Sequence, residues 1–349
     1  MPVSGLRGWG RGAILLLLGL SLLGGVILAT SLGTVAIPFS QVAGMMARRV
    51  VNFGSAMGGS PQAEAIIFQI RLPRVLTAAL VGGALAMAGV VFQGLLRNPM
   101  ADPYIIGTSG GAALGATVAL ILPWQVVWFG FTLAPVFAFV GAMGAVLLVY
   151  RVARVGPTTP ITTLLLAGFA LSSMMAAAMS FLMLASTRTL HRVVLWTMGG
   201  VTASGWSQIL VVTPLVLVGM VLAFLQAHDL NAFLLGEEQA AHLGVDVERR
   251  KLALLMVGSL LTAAAVSVSG LVGFIGLVVP HVARLLFGPD HRFLVPASAL
   301  VGSIFLVLAD LLARVLMPPS EIPVGIITAL IGAPFFIYLL RRSKREYAF

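Results

Sequence analysis

Three groups of residues in this sequence have types and spacings that could do chemistry. The first, Gly107-Thr108-Ser109-Gly110-Gly111, fits the G-x-S-x-G pattern of a serine nucleophile elbow. That elbow needs a strand before it and a histidine and an acid within reach, whereas this serine opens an apolar, glycine-rich helix, so tight helix packing explains the glycines better. The second is His281, which follows Pro280 in an apolar segment. A lone histidine can bind metal, but no second ligand stands at a suitable spacing, so a structural hydrogen bond is favoured and no metal site is expected. The third is Met174, Met175, Met179 and Met183, which could line a soft-metal path but read more simply as an adaptable apolar wall. No G-x-x-x-x-G-K-[ST] occurs, so any P-loop hydrolysis of ATP has to come from a partner.

Stepping outward from these residues, composition places nearly all of them in a bilayer. The chain has 349 residues, 59% hydrophobic and 9% charged, with mean hydropathy +1.06, where soluble chains carry about a quarter charged residues. That length accommodates roughly ten spans of about 20 residues and leaves nothing long enough for a separate soluble domain, so residues 1–349 read as one membrane domain. The net charge of +10 is spread over short connections and forms no aromatic-interleaved patch, which argues against nucleic acid. Cysteine is absent, which excludes disulfides and thiolate metal sites.

One polar island interrupts the apolar runs, HDLNAFLLGEEQAAHLGVDVERRK from His228 to Lys251. It holds Asp229, Glu237, Glu238, Asp246 and Glu248, five of the chain's eleven acidic residues, so it belongs in water. It also keeps Leu234, Leu235, Ala241, Leu243 and Val245, more apolar residues than a merely solvated loop retains. Gly236 and Gly244 are expected to break it into two short helices. A soluble partner is the natural reader of such a surface.

Arg7 and Arg11 precede an apolar run to about Val35, longer than a signal-peptide core, so the first span is expected to be retained. From there the hydropathy pattern predicts ten helices at about 13–35, 71–96, 104–122, 126–150, 161–184, 206–226, 252–269, 270–286, 294–317 and 323–340. A short external helix is expected near 40–51, Pro123 and Trp124 mark an outer interface, and VVLWTMGG reads as a half-helix. Both termini then lie in the cytoplasm. This places 14 basic residues inside, at 7, 11, 97, 151, 154, 249–251, 284, 292, 341, 342, 344 and 345, and 7 outside, at 48, 49, 71, 74, 188, 192 and 314. The bias supports the orientation.

Three external arginines stand out. Arg71 and Arg74 are three apart at the outer start of the second span, and Arg314 lies near the outer end of the ninth, one turn above Asp310. Snorkelling or pairing with Asp310 would account for them individually; docking of an acidic external protein would account for them together.

RLPRVLTAALVGGALAMAGVVFQGLLRNPMADPYIIGTSGGAALGA, GLVGFIGLVVPHVARLL, DHR, LADLLAR and EIPVGIITALIGAPFFIYLL resemble, in order and spacing, the permeases of ABC importers for metal chelates, the group that takes up vitamin B12, haem and ferric siderophores. The resemblance implies an all-α, ten-helix multi-pass permease of the cytoplasmic (inner) membrane. It acts as a homodimer, with two cytoplasmic ATP-binding subunits that carry ATP and magnesium and an external substrate-binding protein. No cofactor is expected on this chain. The family's docking arginines fall on Arg71, Arg74 and Arg314. Its ATPase-coupling segment falls on Leu235, Gly236, Glu237, Glu238, Ala241, Leu243, Gly244 and Val245, and its cytoplasmic gate on Ile161, Thr162 and Thr163. Two readings from other classes are an ion-coupled secondary transporter, for which mid-span carboxylates other than Asp310 are scarce, and an intramembrane serine hydrolase built on Ser109.

Overall fold

The computed structural model of the chain describes residues 10–33, 37–51, 60–122, 132–186, 189–201, 205–318 and 320–343. Pro123, Trp124, Arg7, Arg188 and the terminal Lys344 and Arg345, all used in the expected topology, lie outside the described residues. The regular elements are helices, and no strand occurs among the described residues. They begin with α1 (Arg11–Ser31), α2 (Phe39–Val51), α3 (Pro61–Ala65), a π-helical turn (Ile66–Arg71) and α4 (Leu72–Leu95). Then come α5 (Thr108–Ile121), α6 (Leu133–Ala153), α7 (Ile161–Ala185), α8 (Leu190–Thr197) and α9 (Trp206–Leu225). The polar island forms α10 (Ala227–Phe233) and α11 (Glu237–His242), and the chain closes with α12 (Val247–Ser269), α13 (Ile275–Phe287), α14 (His291–Val315) and α15 (Val324–Ser343).

Among the described residues, 7 helices are long and apolar enough to cross a membrane: α1, the continuous α3–α4 rod, α6, α7, α9, α12 and α14. The shorter apolar helices α5, α13 and α15 occupy the places where the sequence pattern put the third, eighth and tenth spans. Three of the boundaries that differ from expectation have a clear local reason. The second span starts at Pro61, ten residues before Arg71. Ser60 caps it by accepting from the Ala63 N–H at 3.2 Å, and Pro61 at the first turn has no N–H to leave unpaired. The third helix starts at Thr108, after Gly107 at φ 88°. The eighth starts only at Ile275, because Gly270 (φ 63°) and Phe274 (φ 68°) hold 270–274 out of the helical region.

The middle of the molecule is α4, buried along nearly its whole length. Lipid tails are as apolar as leucine, so burial here rests on close packing and not on escape from water. Small residues permit it. A methyl group on Gly82 would collide with the Gly302 carbonyl of α14, and one on Gly89 with the Gly276 carbonyl of α13. The Phe92 ring lies where a side chain on Gly258 of α12 would project. The Ser303 hydroxyl donates to the Ala79 carbonyl at 2.7 Å, tying α14 to α4. Gly111 and Gly115 of α5 do the same against α6, meeting the carbonyls of Gly141 and Phe137, so the glycines around Ser109 serve helix packing. Gly82→Val should therefore destabilise the detergent-solubilised chain by about 2–3 kcal/mol, the upper end for overpacking, because the obstacle is backbone. A thermal unfolding midpoint unchanged from the parent would refute the close contact.

Candidate functional site

On the side of the molecule where α10 and α11 lie, each helix is held by its own polar bonds. The Asn231 side chain of α10 donates to Asp290 Oδ1 at 3.0 Å and accepts from the His291 N–H at 2.9 Å, so α10 is seated on the first turn of α14. That amide holds the Asp290 carboxyl below the usual carboxylate range, helped by Arg11 of α1 at 2.9 Å. Arg250 adds a contact to Asp229 at 3.3 Å. On α11, Glu237 pairs with the Lys251 ammonium at 2.9 Å. Lys251 is 3% exposed, which corrects its placement in an aqueous loop. Together with Arg249 and Arg250 it belongs to α12, which starts at Val247 behind the Asp246 cap.

Between these anchors the helix pair presents apolar side chains outward. Leu235 is 59% and Leu243 65% exposed, and Leu234, Glu238, Ala241 and Gly244 are exposed beside them. Val245 is half-buried, and Gly236 is buried with φ 111°, a backbone that L side chains rarely adopt. Gly236 separates α10 from α11 and Gly244 (φ 85°) ends α11, as the sequence predicts.

At the other end of α14, Arg71, Arg74 and Arg314 come together. All three are buried. Asp310, with no exposure at all, lies between two of them: Arg74 Nε reaches one of its oxygens at 2.9 Å and Arg314 Nε the other at 3.0 Å. Arg74 Nη1 is bonded to both oxygens of Glu321, at 2.9 and 2.8 Å, in the turn before α15. The remaining donors cap α1. Arg71 donates to the carbonyls of Thr30 and Ser31 at 3.0 Å each, and Arg314 to those of Ala29 at 2.9 Å and Leu32 at 3.2 Å. These are the carbonyls that a helix end leaves unpaired, where cations are also favoured by the helix dipole.

The third expected group opens α7. Thr162 is exposed, and Ile161 is half-buried against the core. The Thr163 hydroxyl turns back onto the chain, 2.8 Å from the carbonyls of Ala153 and Pro160.

A model of the FecCD transport family matches residues 20–342. The chain belongs to the FecCD transport family. An uncharacterized ABC transporter permease protein of Bacillus subtilis is 45% identical over 324 residues, 92% of this chain and 91% of that one. The cobalamin import system permease protein of Halobacterium salinarum is 50% identical over 284 residues, 81% of this chain and 75% of that one. A solved inward-facing structure assigned to the metal-chelate ABC transporter type superposes with a TM-score of 0.80 at 33% identity, covering 95% of this chain and 99% of that one.

Within this family framework, the sequence reading missed the residues that fasten the site. Glu248 and Lys251 are read there only as charges of the island, Asp290 only as part of the DHR block, and Asn231 is given no part, although Glu248 and Lys251 at i, i+3 are a visible pair. Asp102, in the turn between α4 and α5, was also passed over. Burial pushes its carboxyl up to about 6, against the Tyr104 N–H, which donates to it at 2.8 Å and pulls the other way. A carboxyl whose folded value is raised stabilises the fold most at low pH, and that contribution is lost as pH rises through about 6. Asp102→Asn mimics the protonated form, so it should raise stability by about 1 kcal/mol at pH 8 and leave it unchanged at pH 4. Thermal melts at the two pH values check this, and equal effects at both would refute it.

Proposed function

We propose that this chain is the permease subunit of an ATP-driven importer for a metal chelate of the cobalamin, haem or ferric siderophore class. It works as a homodimer in the cytoplasmic (inner) membrane, one ten-helix permease domain per chain, with both termini in the cytoplasm. The observation that carries the reading is the α10–α11 pair. Exposed leucines sit among carboxylates on helices fastened to α12 and α14, a surface that a soluble motor can push without the helices yielding first. Two ATP-binding subunits dock there and supply the hydrolysis for which this chain has no P-loop. The nucleotide and its magnesium are held by those subunits.

At the outer end, a substrate-binding protein docks over Arg71, Arg74 and Arg314. Glu321, with a side chain 38% exposed, is the surface member of that cluster. An acidic group on the binding protein would replace it on Arg74 Nη1, an exchange of one carboxylate for another that leaves Asp310 in place. Ile161, Thr162 and Thr163 form the cytoplasmic constriction, and the second copy faces the largely unburied side of α7, where Leu166, Phe169, Phe181 and Leu184 are exposed.

The test is reconstitution into proteoliposomes with the ATPase and binding-protein partners. Cyanocobalamin, hemin and a ferric hydroxamate siderophore are offered in turn. ATP-dependent accumulation of one of them is expected. Accumulation driven by a proton or sodium gradient without ATP would replace this reading with a secondary transporter.

A further inference from the structure

The three N–H donors of the Lys251 ammonium meet three acceptors, which come from three separate parts of the chain. Its ammonium reaches Glu237 Oε2 of α11 at 2.9 Å, Glu248 Oε1 of the first turn of α12 at 3.0 Å, and the Thr159 carbonyl at 3.0 Å. Glu248 completes the circuit, because its other oxygen accepts the Thr159 N–H at 3.0 Å. Thr159 is therefore gripped at both its N–H and its carbonyl by the same ion cluster. It is two residues before Ile161, and the intervening Pro160 is the cap of α7.

Resting on the permease reading above, we propose that Lys251 is the positioning residue that carries displacement of the ATPase-docking helices to the gate end of α7. The physical argument is one of stiffness. A lysine ammonium with all three protons bonded and a side chain only 4% exposed is held firmly, because losing any of these bonds leaves a buried charge partly uncompensated. Moving α11 then drags Thr159 rather than breaking Lys251 free. Pro160 and the Thr163 hydroxyl transmit that motion without slack: proline fixes its own φ, and Thr163 bonds the Pro160 carbonyl at 2.8 Å. Asn231 cannot play this part, because its bonds run from α10 to α14.

The chain has no cysteine, so a single Ile161→Cys gives a clean reporter at the gate. In the reconstituted permease–ATPase complex, ATP should change the maleimide alkylation rate at position 161. With Lys251→Met added, the complex should still co-purify and hydrolyse ATP, while the nucleotide effect on alkylation shrinks about ten-fold, within the usual range of coupling between sites. Glu248→Gln, outside the docking helices, keeps a hydrogen bond but removes the charge that meets Lys251, so it should give an intermediate loss, and it decides the matter if Lys251→Met does not assemble. A nucleotide effect undiminished in both variants overturns the proposal. If ATPase subunits never co-purify with the unsubstituted chain, the permease reading itself fails. If they co-purify and hydrolyse ATP but position 161 does not respond, that reading stands and the link to the gate is overturned.

Discussion

Asp310→Asn should destabilise the protein by about 3–5 kcal/mol, more than any other single polar substitution in the membrane-spanning helices. The side chain keeps its shape and loses its charge. What it leaves behind is the problem: Arg74 and Arg314 are buried, and among the described residues Asp310 is the one carboxylate that both of them touch. A buried ion pair is weak evidence of net stabilisation when both partners are present, but removing one member strands the other in a medium that cannot solvate it. Glu321→Gln is the matched control. It sits at the same guanidinium with a half-open side chain, so its loss should cost on the order of 1 kcal/mol, as for a solvent-screened pair. Size-exclusion thermal melts in detergent separate the two. Equal shifts would mean that the buried cluster is hydrated, and would refute its description as a dry one. The same geometry bears on the docking test that the sequence invites. Charge reversal at Arg74 would press a new carboxylate against Asp310 and Glu321, so loss of binding-protein stimulation is informative only where the melt is unchanged; reversal of the exposed Glu321 probes docking with less disturbance.

The helical, membrane-spanning architecture was legible because bilayer burial writes long apolar runs, and the helix breakers between α10, α11 and α12 were legible because Gly236 and Gly244 take backbone conformations that glycine favours. Boundaries were less so. Hydropathy cannot see that α4 is the continuation of a helix begun at Pro61 through a π-turn, since Glu64 and Gln69 lower the local signal there. The three arginines stand out in the sequence, and the structure brings them together in one buried cluster. Their partners were only half visible: Asp310 lies one turn from Arg314 and could be found by helix spacing, whereas the bonds to Ala29, Thr30, Ser31 and Leu32 join residues some forty or more positions apart and exist only once α1 is packed. Lys251 failed for the same reason. Within a run of three basic residues the i, i+3 pairs Asp246–Arg249 and Glu248–Lys251 look alike, and which of them turns inward is fixed by the helical phase of α12 relative to Thr159 and Glu237.

Leu235→Glu combined with Leu243→Glu should abolish retention of the ATPase subunit while leaving the permease folded. Both leucines project from the helix pair, 59% and 65% exposed, so their replacement removes little internal contact and should change the melt by less than about 0.5 kcal/mol. Docking is another matter. Apolar anchors at the centre of an interface cost about 2 kcal/mol or more each when lost, and two new carboxylates beside Glu238 add desolvation that a partner shaped for leucine cannot compensate. Together these predict association weakened at least about a thousand-fold, which co-purification and surface-immobilised binding would both register. Glu238→Gln, on the same exposed face, should change affinity by less than about three-fold if the apolar residues carry the contact. The opposite ranking, with Glu238→Gln severe and the leucine pair mild, would show that charge rather than apolar area holds the motor, and would move the coupling surface from the leucines to the carboxylates of α11.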